Sequence, residues 1–277
     1  MSFRLSNGTE IPEIGFGTYL ATTNDGKENI SRALEAGYRY LDTAAFYFNE
    51  TEIGEAIEES GISRDELFIA SKVWVTNLGY DSVIQSCEES LERLKMDYLD
   101  LFLIHWPRPD RNDGWQQPLI ESWKAMEYLY NSGKVKAIGV SNFLPHHFKV
   151  IEDKWTVKPM VNQLELHIGY LQEAACQYCR ENDILIQAWS PLGRRALFEE
   201  KAIKEVADKY GVSVSKLALR FLNQLGISVI PKASSLDRMK ENLNILDFTI
   251  SDFDMSYLRC LPQMGWSGEH PDFFDID

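Results

Sequence analysis

Cysteine is scarce in this sequence of 277 residues, which contains only Cys87, Cys176, Cys179 and Cys260. Two of these form a C-x-x-C whose flanking residues have the composition of a helix interior, whereas a reactive dithiol is usually exposed at a helix start. No second pair of closely spaced ligands accompanies them, so the spacing does not favour a zinc site. The cysteines therefore argue against dithiol redox chemistry at the C-x-x-C and against a zinc site.

Positive charge and long apolar runs are also scarce. The 28 Lys and Arg face 42 Asp and Glu, giving a net charge of −14, so the average field repels nucleic acid and anionic membranes. No segment reaches the roughly 20 consecutive apolar residues of a membrane-spanning helix, and the first residues resemble no secretion signal. We expect a cytoplasmic protein without nucleic-acid or membrane partners. No exposed apolar helix stripe stands out, so we expect a monomer.

Several common motifs are missing. Residues 15–20 come nearest to G-x-G-x-x-G but fail at the last position, so a dinucleotide, if bound, is bound in another way. Tyr130 and Lys134 have the Y-x-x-x-K spacing of short-chain dehydrogenases, but a glycine ends the predicted helix between them. The adjacent His146 and His147 lack the spacing of a metal-binding helix, and we expect no metal.

A regular alternation is what the sequence does contain. Apolar runs of strand length alternate with helical stretches rich in Glu, Lys and Leu. These runs cover residues 14–17, 38–41, 67–70, 98–104, 135–140, 160–164, 184–188 and 228–230. About eight repeats of strand then helix predict an α/β protein that closes as a (β/α)8 TIM barrel.

Turn residues support this interpretation. Gly37, Gly61 and Gly133 each follow a predicted helix where a left-handed C-cap belongs. Asn7-Gly8 lies between two short alternating segments and predicts an N-terminal β-hairpin. The chain has no Pro-, Gly- or Ser-rich linker, so we expect residues 1–277 to form one domain.

Four polar side chains lie at or just past apolar runs: Asp42, Tyr47, Lys72 and His105. If the strands are parallel neighbours, these side chains meet at one rim, where they can transfer protons. We expect the Lys72 ammonium to lower the pKa of Tyr47 from its ordinary value near 10, with Asp42 as the counter-ion. His105 would orient a substrate oxygen or assist its protonation. Taken singly, each has an ordinary structural role, such as helix cap or core residue.

These residues belong to a series of motifs that runs in order along nearly the whole chain. The series is DTAAFYFNE at 42–50, IG at 53–54, SK at 71–72, IHWP at 104–107, GVSNF at 139–143, NQLE at 162–165 and IPK at 230–232. With this series the chain resembles an aldo-keto reductase. With its short C-terminal segment, residues 265–274, and with Trp189, it looks most like the bacterial group that contains 2,5-diketo-D-gluconate reductases.

The resemblance implies NADPH-dependent reduction of aldehydes and ketones to alcohols, with hydride from the nicotinamide and Tyr47 as proton donor. Asp42, Lys72 and His105 form the supporting set. The cofactor residues it implies are Thr18, Ser141, Asn142, Gln163, Trp189, Ser190, Leu192, Lys232, Ser234, Arg238, Glu241 and Asn242.

Within that cofactor set the resemblance implies separate roles. Ser141, Asn142 and Gln163 would hold the nicotinamide carboxamide, and Trp189 would stack on the ring where many members have Tyr. Ser190 and Leu192 would approach the pyrophosphate. Residues 230–242 resemble the adenosine-phosphate segment, in which Lys232 and Arg238 near a helix start suit a 2′-phosphate. Ala233 departs from the Ser that is common there, which removes one hydroxyl donor.

Aromatic residues beside the four polar side chains predict the substrate pocket. Tyr19, Phe46, Trp74 and Trp106 would line it and suit the apolar face of a small carbonyl compound. Two other classes of function stay open at this point: a cofactor-binding sensor or accessory subunit, and a cofactor-independent barrel hydrolase or isomerase.

Overall fold

The chain begins with the predicted hairpin. A computed structural model describes residues 1–23, 25–108 and 114–273. Strands β1 (Ser2–Arg4) and β2 (Glu10–Pro12) pair antiparallel, with Phe3 opposite Ile11. The Asn7 side-chain oxygen accepts a hydrogen bond from the backbone N–H of Thr9 at 3.0 Å. Gly8 takes the left-handed φ of 89° that the turn requires. The hairpin prediction is confirmed.

Eight parallel strands follow and lie side by side in chain order. They are β3 (Phe16–Gly17), β4 (Tyr40–Asp42), β5 (Phe68–Val73), β6 (Leu101–Ile104), β7 (Ile138–Ser141), β8 (Val161–Glu165), β9 (Leu185–Trp189) and β10 (Ser228–Val229). The first and last strands meet through a parallel bridge between Ile14 and Val229, and the Gly15 N–H donates to the Val229 carbonyl at 2.8 Å. The predicted (β/α)8 barrel is confirmed.

Helices cover the outside of the barrel. They are α1 (Glu28–Ala36), α2 (Glu50–Ser60), α3 (Tyr80–Leu94), α4 (Gln116–Asn131), α5 (Pro145–Ile151), α6 (Glu173–Glu181), α7 (Lys201–Tyr210), α8 (Val214–Gln224), α9 (Leu236–Leu243) and α10 (Asp252–Arg259). Gly37 and Gly61 are left-handed C-caps, and Gly133 has φ 78° one residue past the cap of α4, as predicted. Within the described ranges, no helix has both the length and the apolar character needed to cross a bilayer.

Strand register brings polar side chains to the carboxyl ends of neighbouring strands. Asp42 on β4 is opposite Ala70 on β5, so Lys72 lies two residues further along the same face. Lys72 is opposite Leu103 on β6, and His105 follows directly after β6. Most strand residues up to this level are buried, so the barrel interior is closed below the rim.

Candidate active site

Lys72 is the centre of a buried polar cluster. Its Nζ donates to Asp42 Oδ1 at 2.5 Å, to the Thr43 carbonyl at 2.8 Å and to Tyr47 Oη at 3.3 Å. The side chains of Lys72 and Asp42 are 0% and 2% exposed. The rim therefore brings a phenol, an ammonium and a carboxylate into one hydrogen-bonded chain, as the sequence predicts.

Charge on Lys72 is maintained by its partners. Burial alone lowers the pKa of this ammonium, but the Asp42 carboxylate and the Tyr47 oxygen outweigh burial and hold the pKa above its ordinary value. Lys72 is therefore a permanent cation beside Tyr47 at neutral pH. The Thr43 carbonyl, which sequence reasoning did not single out, satisfies a further ammonium proton.

The expected pKa shift of Tyr47 is wrong in sign. Burial raises the pKa of the phenol, the Lys72 charge lowers it, and the Asp42 charge raises it again, leaving it above its ordinary value. The Lys72 ammonium opposes the shift without reversing it, because burial is the larger effect and the Asp42 charge adds to it. Tyr47 is therefore fully protonated at neutral pH, which is the state that a proton donor needs.

His105 completes the predicted set of four. Its ring packs edge-on against Tyr47, with centroids 5.6 Å apart. Burial and the Lys72 charge hold the pKa of His105 well below its ordinary value, so the ring is neutral. Its Nδ1 is buried and has no hydrogen-bond partner among the described residues. A proton there would be an unsatisfied donor, so we assign the proton to Nε2, which can then donate to a ligand.

Beneath the cluster lies a network of amides that the sequence analysis missed in part. Gln163 Nε2 donates to Asp42 Oδ2 at 2.7 Å and to Gln187 Oε1 at 2.6 Å, and Gln187 Nε2 donates to Tyr40 Oη at 2.9 Å. Gln163 was singled out, but Gln187 and Tyr40 were not. The available signal was a Gln in the middle of the apolar strand β9, where an unpaired amide would be costly.

Ser141, Asn142 and Trp189 lie together on the same rim. Ser141 Oγ donates to the Gln163 carbonyl, while Asn142 Nδ2 donates to the His105 carbonyl at 3.0 Å and to Ser141 Oγ at 3.1 Å. Trp189 Nε1 donates to Asn142 Oδ1 at 2.8 Å, which fixes the plane of the indole. The structure thus brings the predicted carboxamide and stacking residues next to His105.

Other predicted cofactor residues lie on neighbouring loops. The Thr18 hydroxyl is buried and donates to the Asp42 carbonyl at 2.9 Å. Ser190 and Leu192 are part-buried on the turn after β9, where Ser190 has φ 48°. Three predicted side chains are exposed on the segment before α9 and in its first turn: Lys232, Ser234 and Arg238. Further along α9, Glu241 is part-buried and Asn242 is buried. Ser235 precedes α9 at the N-cap position, but its side chain caps no backbone N–H, so the first N–H groups of the helix lack that partner.

Three of the four predicted substrate residues gather around the phenol and the imidazole. The Tyr19 ring lies 5.1 Å from the Tyr47 ring, and Phe46 and Trp74 stack at 3.7 Å with an interplanar angle of 10°. Trp74 meets His105 edge-on at 5.1 Å. Trp106 is buried directly after His105, with 4% of its surface exposed.

A C-terminal segment, residues 264–273, also reaches this rim. The backbone N–H and Oγ of Ser267 donate to the two carboxylate oxygens of Glu165 at 3.0 and 2.7 Å. Arg194, on the turn after β9, forms an ion pair with Glu269 at 2.7 Å. These contacts join residues far apart in the sequence, so no local sequence pattern predicts them.

Two thiols on the core side of α6 are inert. Burial raises the pKa of Cys176 to about 12 and that of Cys179 to about 11, so neither is a thiolate at neutral pH. Both lie inside the helix, as their flanking composition indicates.

His146, His147 and Asp272 bring three possible ligand atoms within 4.8 Å of one another. His147 Nδ1 accepts the Leu144 backbone N–H at 3.0 Å, so the ring proton is on Nε2, which donates to Asp272 Oδ1 at 2.9 Å. Arg108 lies 3.9 Å from the same oxygen. A protonated Nε2 and a neighbouring guanidinium make this a hydrogen-bonded carboxylate that fastens the C-terminal segment.

We expect the burial of His147 to make stability depend on pH. Burial and the neighbouring His146 lower the pKa of His147 to about 4, against about 6.5 in the unfolded chain. The unfolded chain therefore binds more protons between these values, so stability rises with pH across that window. Acidification through it costs up to about 3 kcal/mol. Urea unfolding at several pH values measures this, and His147→Gln should flatten the slope. His146→Gln should flatten the slope less, because it removes only the neighbour's contribution and leaves His147 buried. An unchanged slope for His147→Gln would contradict the assignment.

Sequence comparisons agree with this geometry. Residues 13–261 match the model of the Aldo/keto reductase family. The chain is 41% identical over 270 residues to a protein named Glyoxal reductase from Bacillus subtilis (strain 168), covering 97% of this chain and 95% of that one. It is 35% identical over 273 residues to one named Methylglyoxal reductase DkgA from Escherichia coli (strain K12), covering 98% and 97%. The resemblance to aldo-keto reductases that the motifs indicate is confirmed.

Solved structures match the fold over its whole length. An aldo-keto reductase enzyme from a Medee basin deep-sea metagenome library superimposes with a TM-score of 0.91 at 36% identity, covering 100% of both chains. An aldo-keto reductase complexed with NADPH has a TM-score of 0.88 at 34% identity, covering 96% of this chain and 88% of that one. With the barrel, the buried Lys72–Asp42 pair and these matches established, the chain is an oxidoreductase and belongs to the aldo/keto reductase family.

Proposed function

We propose that the protein reduces small aldehydes and ketones, glyoxals among them, to alcohols with NADPH, and that Tyr47 is the proton donor. The observation that carries this is the 3.3 Å contact between Tyr47 Oη and the Nζ of a lysine paired with Asp42. Relatives named for glyoxal and methylglyoxal reduction support the substrate class. NADPH, when bound, supplies the hydride that reaches the carbonyl carbon.

In this proposal His105 and Tyr47 act on the same oxygen. The Nε2–H of neutral His105 donates a hydrogen bond to the substrate carbonyl oxygen and orients it. As negative charge develops there, Tyr47 Oη delivers its proton to that oxygen, because an alkoxide is a far stronger base than a phenolate. The Lys72 ammonium stabilises the phenolate left behind, and Asp42 keeps Lys72 charged.

The residues expected to hold the nicotinamide fit a carboxamide in a specific way. Both N–H groups of Asn142 and of Gln163, and the hydroxyl proton of Ser141, are already donated within the protein. What remains on these three side chains is acceptor capacity. That set suits the NH2 group of a carboxamide, while the fixed Trp189 ring offers a flat face for stacking.

We assign the adenosine 2′-phosphate to Lys232, Ser234 and Arg238 at the start of α9. The two cations form no ion pair with a carboxylate in the part of the chain that the structure describes. Uncapped N–H groups at the helix start add to their attraction for an anion. In an acidic protein such a local cationic group is what a phosphate requires. Thr18, Ser190, Leu192, Glu241 and Asn242 complete the proposed cofactor set.

Replacing Arg238 by Ala should raise the KM for NADPH by about 10- to 100-fold, since a hydrogen bond to a charged group contributes about 1.5–3 kcal/mol. The KM for NADH, which lacks the phosphate, should change little. Steady-state assays with both cofactors measure the difference. Lys240→Ala, which removes a cation from the last turn of the same helix, is the control. An equal rise for both cofactors would contradict the phosphate assignment.

The proposed activity is tested by following NADPH oxidation with glyoxal, methylglyoxal and simple aldehydes. We expect many turnovers per enzyme molecule. One slow turnover without recycling would favour a cofactor-binding sensor instead. Absence of tryptophan fluorescence quenching by NADPH would favour a cofactor-independent barrel enzyme, since Trp189 is proposed to lie against the nicotinamide.

We further propose that residues 1–277 act as one domain and as a cytoplasmic monomer whose partner is a small carbonyl compound. The uninterrupted alternation of strands and helices supports the single domain. Light scattering of the purified protein tests the monomer.

A further inference from the structure

Phe48 occupies a position at which folding does not need a phenyl group. It ends the short 3-10 turn Ala45–Tyr47 with φ 53° and ψ 31°, in the left-handed region that bulky residues avoid. Its side chain is 82% exposed. The left-handed backbone conformation is unfavourable for a phenylalanine, and the exposed position gives the ring little stabilising contact.

The backbone conformation itself has a clear cause in the fold. The next residue, Asn49, is buried and fastens two loops: its Nδ2 donates to the Thr18 carbonyl at 2.8 Å, and its Oδ1 accepts from Thr43 Oγ1 at 3.0 Å. Bringing Asn49 inward forces the chain to turn at position 48. Gly or Asn would make that turn at lower cost, so the phenyl group, rather than the turn, is what requires an explanation.

A continuous aromatic surface joins Phe48 to the proposed catalytic groups. The Phe48 ring lies 5.8 Å from Phe46, which stacks on Trp74 at 3.7 Å, and Trp74 meets His105 at 5.1 Å. On the adjoining loop, Leu20 repeats the pattern, being left-handed at φ 55° and 56% exposed. It follows Tyr19, whose ring touches Tyr47.

From these observations we propose that Phe48 forms an outer apolar subsite for the alkyl or aryl arm of the substrate. The inference deepens the proposed function and rests on it. When the carbonyl lies between Tyr47 and His105, an arm running outward covers Phe46 and then Phe48. None of the side chains along this path carries a charge, so the subsite favours aldehydes with an uncharged apolar arm over polar or anionic keto sugars. Covering an exposed ring supplies the binding free energy.

The test is a series of straight-chain aldehydes from propanal to decanal, assayed with NADPH. For the wild-type protein kcat/KM should rise with chain length. Phe48→Gly should leave propanal unchanged and lower kcat/KM for the longest aldehydes by about tenfold, mostly through KM, as expected for lost apolar contact. Phe48→Asn, which tolerates the same backbone conformation, should behave like Phe48→Gly, and Phe48→Tyr should retain the wild-type profile.

Three outcomes would overturn the subsite. One is an equal loss for all chain lengths, and another is no loss for the longest. The third is light scattering that finds a wild-type dimer which Phe48→Asn separates, because the ring would then cover a second copy of the chain. Folding of the variants is checked by thermal unfolding. Phe48→Gly should be at least as stable as the wild-type protein, because glycine adopts φ 53° without strain. Failure of wild-type protein to reduce propanal would instead reject the proposed function.

Discussion

Replacing Tyr47 by Phe should lower kcat by about 10²- to 10⁴-fold, the usual contribution of a positioned general acid. The reason is the position of one hydroxyl, 3.3 Å from the Lys72 ammonium and raised in pKa by burial, so that it holds its proton until an alkoxide forms. NADPH affinity should stay close to the wild-type value, because the proposed cofactor residues lie elsewhere on the rim. Single-turnover kinetics and fluorescence titration measure the two quantities separately.

The matched control is Tyr19→Phe. Tyr19 and Tyr47 pack ring against ring at 5.1 Å, and each substitution removes only a hydroxyl, so ring packing is retained in both variants. The hydrogen bonds of the Lys72 ammonium go to Asp42, Thr43 and Tyr47 and not to Tyr19, so we expect nearly wild-type turnover for Tyr19→Phe. Near wild-type kcat for Tyr47→Phe, or an equal loss for Tyr19→Phe, would remove Tyr47 from the role of donor.

The barrel and the position of its polar rim could be predicted because both depend on local patterns. Each strand of a parallel barrel is buried on both faces and therefore appears as an apolar run in the sequence. The end of the run marks the end of the strand, and the carboxyl ends of all strands lie at one rim of the barrel. Asp42 and His105 mark two such ends, and Lys72 lies on β5 just before its end. The register of β4 and β5 then brings Asp42 and Lys72 together without further information.

What could not be predicted depends on long-range packing. The sign of the Tyr47 shift is a balance of burial, Lys72 and Asp42, and no pattern gives the relative sizes of such opposing effects. Gln187 belongs to the site because the register of β8 and β9 pairs it with Gln163, and the sequence does not give that register. The left-handed turn at Phe48 is imposed by contacts of Asn49 with two other loops, so the short motif around it did not indicate the strain.

Replacing Lys72 by Met should abolish most activity and also destabilise the fold by about 3–5 kcal/mol, since breaking a buried ion pair leaves an uncompensated charge. Asp42 would remain, 2% exposed, without its cation and with the Gln163 amide still donating to Oδ2. Urea unfolding measures the free energy change. Lys95→Met is the control, because Lys95 pairs with Glu58 at a similar 2.7 Å but both side chains are exposed, and stability should hardly change.

The double variant Asp42→Asn, Lys72→Met separates the structural role of the pair from its chemical one. Removing both charges eliminates the unpaired carboxylate, so we expect part of the lost stability to return, as a double-mutant cycle would record. Activity should not return with it, because no cation would then stabilise the Tyr47 phenolate. If the double variant regained turnover together with stability, the Lys72 charge would matter only for folding. If Lys72→Met were no less stable than Lys95→Met, the buried pair could not be the electrostatic centre of the site.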